Sequence, residues 1–106
     1  MELRERKCAP CNEGTPPLAE GRVRELLREV SGWALRDNRI RKELKFADFL
    51  SAMKFLNRLA EVAEREGHHP DFCVHYNQVD VTLWTHAVKG LSENDFILAA
   101  KIDRLL

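Results

Sequence analysis

The stretch EREGHHPDFCVHYN, residues 64 to 77, puts three histidines, one cysteine and two glutamates into fourteen positions. Imidazole both gives and takes a proton near neutral pH, so two or three of them around one small molecule can supply general acid and general base together. Imidazole and thiolate are also zinc ligands, and a histidine can equally serve as a hydrogen-bonded packing group. His68 and His69 are neighbours, and neighbours in extended backbone point to opposite faces. They can share one centre only if the chain bends at Pro70. Cys73 and His75, at i and i+2 of a strand, share a face but match none of the usual zinc spacings, which tells against a metal there. The reading adopted is proton chemistry without a metal, with His86 as a further candidate imidazole.

The elements that must position these residues follow from periodicity. Val23, Leu26, Leu27 and Val30 recur at i, i+3, i+4 and i+7, predicting an amphipathic helix over Leu18 to Val30 that Ser31-Gly32 stops. Trp33 to Leu35 and Ile40 to Lys45 read as strands, with Arg36-Asp37-Asn38-Arg39 as the turn between them. Phe46 to Glu66 reads as a long helix with Phe46, Phe49, Leu50, Met53, Leu56, Ala60 and Ala63 as its apolar stripe and Gly67 as its stop. Phe72 to Tyr76 and Val79 to Thr85 read as strands joined at Asn77-Gln78. Ser92 to Asp95 opens a last helix with a capping-box-like pattern, and Phe96, Ala99, Ala100 and Ile102 to Leu106 form its apolar face. The order α-β-β-α-β-β-α describes one α+β domain, a four-stranded antiparallel sheet packed on one face by helices. His68 and His69 then follow the long helix, and His86 ends the fourth strand.

Composition narrows the function classes. A chain of 106 residues is one domain large enough for a core without staples. Seventeen basic residues balance seventeen acidic ones, so there is no basic field for direct nucleic-acid binding. There is no run of apolar residues long enough for a membrane span and no h-region after the N-terminus, which excludes a membrane partner and points to a cytoplasmic protein with reduced thiols. The segment 1–17 is polar, rich in proline and without period, and reads as a flexible N-terminal tail ahead of a domain over 18–106. Its Cys8 and Cys11, in CAPC, have the gap of a zinc knuckle or redox pair but lack the second C-x-x-C that a closed zinc site needs.

Glu64-Arg65-Glu66-Gly67-His68-His69-Pro70, then Tyr76, His86 and Asp95 at their spacing, closely resembles the signature of the pterin-4a-carbinolamine dehydratase family. Ser31-Gly32-Trp33, Val79 to Leu83 before Thr85-His86, and Gly90-Leu91-Ser92 are similar to the same family. The resemblance runs from about Pro16 to Leu106. Trp84 and Val88 depart from it, standing where vertebrate members carry smaller or thiol-bearing residues, and Ala19 stands where a Ser or Thr cap is usual.

The resemblance implies a lyase that removes water from 4a-hydroxytetrahydropterin to give quinonoid dihydropterin, in tetrahydrobiopterin-type recycling. It implies no metal, no organic cofactor, a pterin as the small-molecule partner, and a homodimer or homotetramer. By correspondence His68, His69 and His86 are the catalytic imidazoles, while Glu64, Trp33 and Asp95 support them or bind the pterin. Glu64, one helical turn before His68, is placed to orient an imidazole. Asp95 also has a sufficient reason to exist as a helix cap. The rival reading is a non-catalytic binding or assembly module on the same fold, which does not need Glu64, His68, His69 and His86 together.

Overall fold

The computed structural model describes residues 2–106; Met1, at the start of the expected tail, lies outside them. Helix α1 spans Glu20–Leu27, strands β1 and β2 span Ala34–Arg36 and Arg39–Lys45, and helix α2 spans Phe49–Glu66. Strands β3 and β4 follow at Asp71–His75 and Gln78–Leu83, and helix α3 at Glu93–Asp103. Single 3-10 turns occupy Leu3–Glu5 and His86–Val88. All strand pairs are antiparallel and the sheet order is β1-β2-β4-β3, so the predicted α+β architecture stands.

Turn chemistry sets the hairpins. Asp37 and Asn38 both take positive φ, 51° and 59°, between the paired Arg36 and Arg39, which is the mirror-image turn that suits the twist of two strands. The second hairpin turns at Tyr76-Asn77, one residue before the expected Asn77-Gln78, because Gln78 is already paired with His75. Asn77 is instead bound to the segment before α2: its side chain donates to Phe46 O at 2.9 Å and its carbonyl accepts from Phe46 N at 2.8 Å. That use of Phe46 also explains why α2 begins later than expected. Asp48 is the N-cap, accepting from Ser51 N at 2.8 Å, and Phe46 packs its ring on Phe55 from outside the helix. At its other end α1 is shorter than predicted, because Arg28 and Glu29 tighten into i to i−3 bonds on Glu25 and Leu26.

The stripe expected on α2 is partly out of phase. Leu56 and Ala63 are buried as predicted, but the rest of the core face is Ala52, Phe55, Leu59 and Val62. Phe49 and Leu50 are exposed, as is Ala60. The core forms where that face meets Ile40, Val79, Val81 and Leu83 of the sheet. Alternation along β4 leaves Asp80 and Thr82 on the uncovered face.

Helix α3 is buried on nearly every side from Asn94 to Ala100, including Ile97 and Leu98, which the sequence pattern left off its apolar face. A helix apolar all round must be covered all round. The leader supplies the missing cover: the turn Leu3–Glu5 packs against α3, and Leu3 is 4% exposed inside the core. Arg6 donates to Glu93 at 3.2 Å, and Ala9 and the Asn94 side chain bond each other in both directions at 2.9 and 2.6 Å. Within the segment 1–17 expected as a flexible tail, Leu3, Arg6, Cys8 and Ala9 thus contact α3. Truncating Leu3 to Ala is expected to cost about 2–4 kcal/mol in urea denaturation, as for a buried leucine. An unchanged midpoint would mean that the leader is loose.

Candidate functional site

The end of α2 aims the first histidine. Gly67 adopts φ 66° at the C-cap, and the next N–H, that of His68, returns to Ala63 O at 3.2 Å. This glycine-terminated motif ties the His68 backbone to the last turn of the helix, so its ring starts from a fixed point. His68 Nε2 lies 2.6 Å from Asp95 Oδ1, and the Asp95 carboxylate is fully buried. A carboxylate offers only lone pairs, so Nε2 donates; in the neutral ring Nδ1 is then the free acceptor.

Asp95 is held by more than the imidazole. Its Oδ2 accepts from Ser92 N at 3.0 Å, the cap of α3, and from Thr85 Oγ1 at 2.8 Å. The Thr85 hydroxyl hydrogen is committed there, so Ser92 Oγ is the donor in its 2.7 Å contact with Thr85 Oγ1. Thr85 is itself fixed by a two-way backbone bridge with Gly90. Sequence reasoning misses this residue, whose only signal is its place between the strand and His86.

His69 turns the other way, as expected of adjacent residues. Its Nε2 lies 2.8 Å from Glu64 Oε1, with the ring 64% exposed against 12% for His68. Glu64 therefore orients His69 and leaves His68 to Asp95. Beside this pair a groove of about 750 Å³ runs along α2 and β3, lined by Leu59, Ala63, His69, Pro70 and Phe72 among others. His86 does not end β4 but opens the 3-10 turn His86–Val88, directly after Thr85, and its ring centroid lies 3.7 Å from that of Trp84.

Trp33 stands apart from these groups. Its Nε1 donates to Asp103 Oδ1 at 3.0 Å, and Lys42 Nζ reaches the same oxygen at 2.7 Å. Asp103 is eight residues beyond Asp95, about 12 Å along α3, so Trp33 is anchored at the other end of that helix. The structure thus joins His68 with Asp95 and Glu64 with His69, while the His86 ring contacts Trp84 and only its chain neighbour Thr85 bonds Asp95.

The leader cysteines sit on the same helix end. Cys8 N donates to Glu66 Oε1 at 2.9 Å, and the Asn94 side chain reaches Cys11 Sγ at 3.3 Å. Burial, with the Glu66 carboxylate beside it, pushes the Cys8 thiol up to about 12. Burial pushes Glu66 up as well, but the Cys8 N–H and Lys101 outweigh it and leave that carboxyl below its ordinary value. Among the described residues no group of three or more His, Cys, Asp or Glu is arranged to hold a metal, and no helix is long and apolar enough to cross a membrane.

Comparison with known proteins gives a consistent result. The family described as pterin 4 alpha carbinolamine dehydratase matches residues 16–105. A protein of Nitrosomonas eutropha provisionally named a pterin-4-alpha-carbinolamine dehydratase is 49% identical, covering 99% of this chain and 94% of its own. A similarly named protein of Rubrobacter xylanophilus is 42% identical over 98% of both. A solved structure titled transcriptional coactivator/pterin dehydratase, from Brucella melitensis, superposes with a TM-score of 0.81 at 38% identity, covering 84% of this chain and 97% of that one. A pterin dehydratase-like protein identified as a RuBisCO assembly factor in the alpha-carboxysome gives a TM-score of 0.57 at 27% identity, covering 69% of this chain and 84% of that one.

Replacing Asp95 by Ala strands His68, Thr85 and the Ser92 N–H together, and is expected to cost about 3–5 kcal/mol in denaturant melts, as for a broken buried pair. A loss no larger than that of a surface cap would show that the carboxylate does not hold the other groups. A thiol that ionises at 9.0 when unfolded but at about 12 when folded contributes stability in full below pH 9 and loses it as pH climbs toward 12. Cys8→Ala, with no thiol to ionise, is expected to lose less stability than wild type across that window; parallel curves for the two proteins would refute it.

Proposed function

The chain belongs to the pterin 4 alpha carbinolamine dehydratase family, and on that premise we propose that it removes water from a 4a-hydroxytetrahydropterin to give the quinonoid dihydropterin. The observation that carries the reading is the pairing of adjacent imidazoles with separate carboxylates, His68 with Asp95 and His69 with Glu64, the second pair lining an open groove.

The reaction breaks the C4a–O bond and forms a C4a=N5 double bond. An imidazolium gives its proton to the departing hydroxyl, which leaves as water, and a neutral imidazole takes the proton from N5. One proton is given and one is taken, so the net charge of the set is unchanged, and each ring regains its starting protonation once a proton passes between its members or through solvent. His69, largely exposed, is placed to exchange with solvent, whereas His68 is sheltered and has its Nε2–H fixed by Asp95. Each carboxylate holds one ring, so the rings need no reorientation at the moment of transfer. His86, beyond Thr85, is the third imidazole of the proposed set, and no metal enters the scheme.

A second reading has specific support, since one relative of the same fold is titled a transcriptional coactivator as well as a pterin dehydratase and another an assembly factor. A module that only binds a partner needs neither imidazole–carboxylate pair. Turnover of a generated 4a-carbinolamine separates the two readings. His69→Ala is expected to stay folded and to lose about 10² or more in rate, the usual worth of a general acid or base. Wild-type activity should survive exhaustive chelation. Activity restored only by stoichiometric zinc would overturn the acid–base reading, and an inactive, folded wild type would favour the binding module.

A further inference from the structure

Among the three imidazoles His86 is the one held by an aromatic ring, and the way that ring is itself held can be traced to strand register. Thr82 faces away from the helices, opposite Arg41 on one side and Asp71 on the other. Period two puts Trp84 on that same face, just past the last residue of β4. Extending the β2–β4 register by one step from Ile40↔Leu83 sets Arg39 opposite Trp84. Asp71, paired with Thr82, is then its diagonal neighbour, within reach of a large aromatic side chain.

Both neighbours grip the indole. Trp84 Nε1 donates to Asp71 Oδ2 at 3.0 Å, and the Arg39 guanidinium carbon lies 4.2 Å from the ring centroid. These partners come from the two strands that flank β4, so the indole is fixed from both sides by the sheet. Two residues later the His86 ring lies on the same indole, with centroids 3.7 Å apart and planes inclined by 39°. His86 is exposed, and an exposed imidazole at the start of a short turn can otherwise turn about two side-chain bonds.

We propose that Trp84, gripped by Arg39 and Asp71, is a positioning residue that fixes the ring of His86 for proton transfer to or from the substrate. The proposal rests on the reading that His86 acts on the pterin. It gives a purpose to the tryptophan and to two charged residues that otherwise lie on an uncovered sheet face. The indole does for His86 what Asp95 does for His68 and Glu64 for His69.

The test uses the full chain and two independent readouts. In Trp84→Ala, kcat is expected to fall by about tenfold with little change in KM, as suits a misplaced but intact catalytic group. Trp84→Phe, which keeps an aromatic face without the Asp71 bond, should recover most of that loss. The double variant Trp84→Ala with His86→Ala should be no slower than His86→Ala alone; losses that multiply would show that Trp84 acts elsewhere and overturn the proposal. Independently of turnover, the His86 ring protons, assigned from His86→Ala, should sit under the indole ring current in wild type and move to ordinary positions in Trp84→Ala. Unmoved resonances would sink the stack itself. A wild type that shows the stack but dehydrates nothing would sink the dehydratase reading, and with it the purpose given to the stack.

Discussion

The carboxylate of Asp95 is the constraint on which the rest of the site depends. A fully buried carboxylate is costly unless its lone pairs are met, and here a backbone N–H, a hydroxyl and an imidazole meet them while the helix terminus adds a favourable dipole. The satisfied group starts α3, holds the segment after β4, and fixes the ring that follows α2. Three elements distant in sequence are thereby set against one another, and the spacing of histidines along the chain becomes a spacing in space.

The three histidine rings are held by three different means. His68 is tied by a buried carboxylate, His69 by an exposed one, and His86 by an indole. The surroundings differ in access to water more than in chemical type. That division suits the proposed dehydration, which must both deliver a proton and dispose of one.

What could be read in the sequence was whatever local chemistry decides alone. Asp37-Asn38 tolerates two positive φ values, Gly67 ends a helix, and alternation over Val79 to Leu83 fixes the face of a strand. The phase of α2 was harder, because Phe49, Leu50 and Ala60 are as apolar as Phe55, Leu59 and Val62, and periodicity cannot choose between two greasy faces. The histidine signature was legible, but not the partner of each ring: Gly67 redirects the chain, so the carboxylate nearest in sequence to His68 serves His69 instead. Trp33 looked like a site residue by correspondence alone, and its bond to Asp103 is a tertiary fact with no local trace. The leader was illegible for a related reason, since a short polar segment without period shows nothing of a groove made elsewhere. The clue lay in α3, where Phe96, Ile97, Leu98, Ala99 and Ala100 leave no polar side to face water.

That leader also sets an order of events. Ala9 finds its partner Asn94 across 85 residues, and Arg6 reaches Glu93 across 87. During synthesis these early residues leave the ribosome long before their docking surface exists, and the sheet and α2 can form while the leader waits. Its binding is therefore a late step, a seal closed only after α3 has emerged and folded. Because the sealed helix carries Asp95 in its first turn, the cluster of His68, Thr85 and Asp95 is completed only when two distant stretches of the chain have met.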